Sequence, residues 1–363
     1  MNKYKHTLQS IKWWIKNHKK TSVIISVLLV ALIASAATTA LYFATKKQNN
    51  TPQQTVSKTP EPAKPAPKYY SPLTGNEVKD QAAATQAATA IMIENSPDAR
   101  PQSGLKDSGV VFEAIAEGGI TRFLVLYQQE KPALVGPVRS VRMYYVDWLA
   151  AFNASVAHVG GSAAALAEVR NGQYRDIDQF FNPNTYWRAN DRYAPHNVYT
   201  NFERIDALNN QKGFTSSQFT GFTRKDSTKA ETATANSIWV TISGALYNSS
   251  YVYDPTTNLY NRSQAGAPHL DREAGQITPR VVIVMEVPQQ RVFEDGYREQ
   301  LNTIGSGKAT IFQDGTASQV TWTKKSRAEQ ITFTDAEGKD VPLARGQTWI
   351  SAVPAGIGGV TWQ

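Results

Sequence analysis

Five short blocks between residues 100 and 200 gather side chains able to hold or move charge: RPQSGL (100–105), FEAIAEGGITRF (112–123), GPVRSVRMYY (136–145), HVGGS (158–162) and WRANDRYAPHNVYT (187–200). They contain Arg100, Glu113, Glu117, Arg122, Arg139, Arg142, His158, Arg188, Arg192 and His196, most of them beside Gly or Pro at predicted strand ends. Polar groups at such positions on a rigid scaffold are where binding and catalysis concentrate. Glu113 and Glu117 stand four apart in a predicted strand, so period-two geometry sends both carboxylates to one face before Gly118 and Gly119 turn the chain. Two aligned carboxylates can act as acid and base or hold a cation. The competing reading is a salt-bridge network with Arg122, Arg139 and Arg142 that only fixes the domain.

Arg139 and Arg142 follow Gly136-Pro137 at a predicted helix start, where guanidinium forks beside free backbone N–H groups suit a phosphate or carboxylate. Gly160 and Gly161 permit close backbone approach of a ligand. With Arg100, Arg122, Arg188 and Arg192 these residues define a candidate anion-binding surface, to which Tyr144, Tyr145, Trp148 and Trp187 add stacking faces for sugars. Glu113, Glu117, His158 and His196 are the candidates for catalysis. The three histidines after the N-terminal region, His158, His196 and His269, sit among loop-type residues, and their spacing to Glu113 or Glu117 matches no standard metal pattern. No Walker motif, dinucleotide fingerprint or G-x-S-x-G is present, so neither metal nor cofactor is expected. Glu113, Glu117, Arg122, Arg139, Arg142, His158 and His196 are expected to converge on one concave surface, because isolated charges at strand ends are costly to bury.

The elements that must position them alternate strand and helix. Strands are predicted at 90–93, 110–116, 122–128 and 155–159, and helices at 141–152, 163–171 and 202–211, from apolar periods of two and of three to four. Residues 71–230 therefore read as an α+β or α/β domain. Beyond about residue 235 helical periodicity gives way to hairpin signals, at 254–258 and at Asp314-Gly315, and to strands at 281–287, 330–333 and 348–353. Residues 236–354 are expected to form a β-rich antiparallel domain.

Ahead of both lies a basic segment, 1–22, and an apolar run, 23–44, free of charge and long enough to cross a hydrocarbon core of about 30 Å. Six lysines precede that run, so the positive-inside rule keeps the N-terminus in the cytoplasm and places everything after the helix outside. Ala34-Ser35-Ala36 meets the small-x-small cleavage pattern, yet the apolar run continues to Phe43, which favours a retained anchor. Residues 45–70, with five prolines among polar residues, read as an extended linker. Eight lysines and no acid within residues 1–47 account for the whole net charge of +8, leaving 30 basic and 30 acidic side chains over the rest. Such a neutral remainder lacks the footprint of a nucleic-acid partner. The chain has no cysteine, which rules out disulfides, thiolate chemistry and a lipid-bearing cysteine within it.

The blocks SPLTGNEV, ARPQSGL, EGGITRF, GPVRSVR, HVGGS and APHNVYT, and later YDPTTNLYNRSQAGAPHLD, GSGKATIFQDG and GQTWISAVP, resemble the YerB-like family of bacterial envelope proteins. That family is defined by a domain of unknown function with a separate C-terminal domain. The resemblance implies an envelope address and a two-part layout, without catalytic residues to carry over. In arrangement alone, the anchor and an arginine-rich pocket near a Gly-Gly turn are similar to LytR-CpsA-Psr phosphotransferases, a likeness that does not establish function. The expectation is a module that captures an anionic envelope ligand, such as a polyprenyl phosphate, a glycan or a wall polymer. A hydrolase or phosphotransferase built on the same residues, or a scaffold for cell-wall proteins, are the alternatives.

Overall fold

The computed structural model describes residues 2–47, 67–292 and 298–363; the greater part of the predicted linker lies outside the described residues. Residues 1–66 and 67–363 form two units. In the first, α1 (Asn2–Asn17) and α2 (Lys19–Lys47) follow one another, with i to i−4 hydrogen bonds running through His18. α2 contains the 24-residue stretch Lys19–Tyr42, long and apolar enough to cross a membrane.

The main elements of the second unit are, first, β1 (Thr89–Glu94), β2 (Val110–Glu117), β3 (Ile120–Tyr127), α3 (Met143–Leu149), β4 (Ser155–Ala157), α4 (Ala163–Val169), β5 (Arg175–Asp176) and α5 (Phe202–Gln211). It continues through β6 (Ser237–Thr241), β7 (Ser249–Asp254), β8 (Leu259–Gln264), β9 (Ala267–Pro268) and β10 (Val281–Val287). Last come β11 (Gly305–Gln313), β12 (Thr316–Lys324), β13 (Thr332–Thr334), β14 (Thr348–Pro354) and β15 (Gly359–Trp362). The mixed α/β first part and strand-rich second part agree with the sequence, and so do most elements, within a few residues.

Local chemistry explains the boundaries. Ser162 caps α4 by accepting from the Ala165 N–H, and Asn201 caps α5 by accepting from the Arg204 N–H. β11 and β12 turn at Asp314 and Gly315, both at positive φ, the two-residue turn that matches strand twist. Gly118 and Gly119 turn β2 into β3 in the same way.

One large sheet runs β13-β12-β11-β10-β14-β2-β3-β1-β4-β5, so strands from the two ends of the sequence lie side by side. β14 pairs parallel with both β10 and β2. β1 and β14 are buried along their whole length, the continuous apolar pattern of strands covered on both faces. One face packs on α3, with Phe112 stacked on Trp148 at 5.1 Å. The other meets the sheet β9-β8-β7-β6-β15 through Phe123, Trp349, Tyr251 and Ile238. Tyr144, Tyr145 and Trp148 belong to the first core. Tyr145 and Trp148 offer no stacking face to a sugar, because α3 turns that side inward.

Candidate functional site

The carboxyl ends of β1, β2 and β4, with the start of β3, meet at one end of the sheet, and the charged residues of the sequence blocks collect there. They do not form a single pocket. Their side chains divide into two sealed groups and one half-open cluster.

Glu113 is sealed. Its Oε2 accepts from Arg262 Nη2 at 2.9 Å, Trp349 Nε1 at 3.0 Å and Ser351 Oγ at 3.3 Å, while Oε1 accepts from Thr121 Oγ1 at 3.3 Å. Arg262 is fully buried, lies 4.3 Å from the Trp349 ring centre and donates to Tyr251 and His269. Since a guanidinium only donates, His269 Nδ1 accepts, and Nε2 carries the proton given to Gln102 Oε1 at 3.0 Å. Burial, with Arg262 and Arg100 nearby, holds His269 well below the ordinary histidine value. Gln102 and Arg100 extend the network to Asn95.

His158 is also sealed, with Nδ1 2.8 Å from Gly160 O and Nε2 2.9 Å from Asp176 Oδ1. Asp178 beside it is bound by Arg170 Nη2 at 2.6 Å. Gly161 serves the protein's own packing: a Cβ there would meet Val141 Cγ1 at 2.8 Å, where the segment leading into α3 crosses the turn.

The half-open cluster begins at Glu117. A bulge between Ile115 and Glu117 breaks the period of two, so Glu113 pairs with Phe123 on one face whereas Glu117 pairs with Ile120, on the face of Arg122. The expectation that the two carboxylates share a face therefore fails. Glu117 accepts from Arg122 Nη2 at 2.9 Å, Arg142 Nη2 at 2.8 Å and Arg142 Nε at 3.0 Å. Burial would raise its pKa, but the two guanidiniums outweigh burial and hold it below the usual carboxylate range. Arg122 and Arg142 also donate to the Ser140 and Val141 carbonyls.

Directly across the sheet from Arg122 stands Glu94, whose side chain is only 4% exposed. Its Oε1 lies 2.9 Å from His196 Nδ1, 3.0 Å from Ser96 Oγ and 3.3 Å from Arg139 Nε. Glu94 Oε2 and the Nε atoms of Arg122 and Arg139 are buried without a hydrogen-bond partner. Among the described residues, the Arg139 Nη groups make no hydrogen bond, and the side chain is 24% exposed. Burial lowers the Arg139 pKa; Glu94 opposes this, and Arg122 and Glu117 are close enough to act on it too, so the two halves of the cluster are one electrostatic unit.

Of the remaining candidates, Arg192 straps the 187–200 loop to the 97–101 loop by donating to Asp98 O and Pro101 O, and Arg188 donates to Asn197 Oδ1. A cleft of about 420 Å³ opens beside Arg142, between the starts of α3 and α4 and residues 299–304, with Tyr144, Asp147, Ser162 and Thr303 in its wall. The sequence reading missed Glu94 and Ser96. A lone carboxylate closing an apolar strand was the signal available.

Residues 73–215 match the N-terminal domain, and residues 238–350 the C-terminal domain, of the protein family of unknown function DUF3048. The chain is 32% identical to "Putative lipoprotein YerB" of Bacillus subtilis (strain 168) over 306 residues, 83% of this chain and 90% of that protein. A crystal structure of the YerB protein from Bacillus subtilis superposes with a TM-score of 0.72 at 30% identity, covering 81% of this chain and all of that one.

Proposed function

The chain belongs to the DUF3048, or YerB-like, family, and on that premise we propose that it is a membrane-anchored extracytoplasmic protein that binds an anionic envelope ligand at the Arg139 cluster. The observation that carries this reading is the free fork of Arg139. Arg122 and Arg142 are bound to Glu117, whereas among the described residues the Arg139 Nη pair makes no hydrogen bond and its side chain is partly exposed. A phosphate or carboxylate there would meet a bidentate donor held in place by a buried carboxylate. The cleft beside Arg142, on the Glu117 side of the cluster, is within the size range of ligand pockets and is the proposed seat of the glycan or lipid that follows the charge.

With calorimetry on the detergent-solubilised protein, Arg139→Ala is expected to weaken binding of a short polyprenyl phosphate at least tenfold with little change in thermal stability. Equal affinity in an intact fold would sink the proposal. The anchor reading is tested separately: α2 takes the place of the lipid that the curated relative's name implies, since this chain has no cysteine. Protease added to intact, wall-stripped cells is expected to digest residues 67–363; their protection until lysis reverses the orientation.

A further inference from the structure

Resting on the anionic-ligand reading, we propose that Glu94 and His196 form a general-base dyad that hydrolyses a phosphodiester held by Arg139. The argument begins with a contrast between two histidines of the same fold. His158 is fully buried and both its ring nitrogens face acceptors, the arrangement of a structural brace. Among the described residues His196 makes hydrogen bonds through Nδ1 alone, with Glu94 at 2.9 Å and Ser96 Oγ at 3.2 Å. Its Nε2 has Asp98 Oδ2 at 4.0 Å, beyond hydrogen-bond reach and on a side chain that is 81% exposed. A buried carboxylate thus fixes the tautomer and orientation of a partly exposed ring whose other nitrogen makes no hydrogen bond among the described residues, the division of labour found in catalytic carboxylate-histidine pairs.

Preorganisation is visible on both sides of the ring. Arg192, by donating to the Asp98 and Pro101 carbonyls, ties the loop that carries His196 to the loop that follows Glu94. Arg139 Nε approaches the same Glu94 oxygen that holds His196 Nδ1, so guanidinium and imidazole are neighbours across one carboxylate, and hydrolysis requires the phosphoryl group on the Arg139 Nη groups to reach Nε2. The step balances without a further reactant. His196 Nε2 takes a proton from water; the water oxygen forms a bond to phosphorus as the bond to the leaving oxygen breaks; that oxygen takes the proton from Nε2. Diester and water become monoester and alcohol, with Arg139 holding the charge that develops on the phosphoryl oxygens. Glu94 touches no reacting atom and is a positioning residue.

The test uses the full chain in detergent, bis(p-nitrophenyl) phosphate as substrate and inorganic phosphate as binding probe. His196→Asn, whose amide can replace the Nδ1 donor to Glu94, is expected to keep the fold and phosphate binding while kcat/KM falls at least 100-fold. Added imidazole is expected to restore turnover to His196→Gly. Glu94→Gln is expected to lower kcat with KM nearly unchanged and to alter the His196 tautomer seen in ¹⁵N spectra, and Glu94→Asp to recover part of the rate. Wild-type protein that binds phosphate yet cleaves no faster than His196→Asn overturns the dyad and leaves the binding reading standing. Wild-type protein that does not bind phosphate overturns both.

Discussion

Replacing Glu113 with alanine is expected to destabilise residues 67–363 by about 3–5 kcal/mol, the cost of leaving one member of a buried ion pair without its partner. Arg262 would keep its charge in a site sealed by Tyr251, Phe123 and Trp349, and Trp349 Nε1 would lose its acceptor. For a unit of this size the loss corresponds to about 5–8 °C in Tm. Glu113→Gln keeps an acceptor for the indole and removes only the charge, so a smaller fall is expected. Differential scanning calorimetry of the three proteins decides the matter: an alanine variant within about 1 kcal/mol of the parent shows that the network contributes no net stability.

Separating the two family-defined regions is expected to have a larger effect still. β14 sits between β10 and β2, so removing everything after residue 230 strips β2 of its parallel partner from Val110 to Glu113 and uncovers Phe123, which packs on Trp349 and His269. An apolar strand left at a sheet edge is a template for aggregation. Neither fragment 67–230 nor fragment 231–363 should unfold cooperatively alone, whereas the two co-expressed should copurify with a native-like spectrum. A folded, monodisperse fragment 67–230 would show that the shared sheet is dispensable.

The elements were easy to read because their signals are local. Asp314-Gly315, the Ser162 and Asn201 caps and the apolar runs at 281–287 and 348–353 each depend on a few neighbouring residues. The site was only half legible because its decisive facts are not local. A single bulged residue moved Glu117 to the opposite face from Glu113, and no period count detects a bulge that only the partner strand reveals. Arg262, the partner of Glu113, lies 149 positions away. Aromatic type at Tyr144, Tyr145 and Trp148 said nothing about which side of α3 would face the sheet. Arg122, Arg139, Arg142 and His196 do meet at one end of the sheet, the first and third on Glu117 and the other two on Glu94, a carboxylate that looked like the last residue of an ordinary strand.

The parallel alignment of β14 with β2 joins residues as far apart as Glu113 and Trp349, 236 positions along the chain. Loop-closure entropy must be met before such a contact yields any stabilisation, so a sheet closed this way forms late and slowly. Synthesis delivers Val110 to Glu117 long before Thr348 to Pro354, and in the interval the central strand has an unpaired apolar edge. Folding of this protein is therefore tied to completion of the chain. In the proposed topology that interval is spent outside the membrane, and a holdase there would have its longest hold on the stretch around β2.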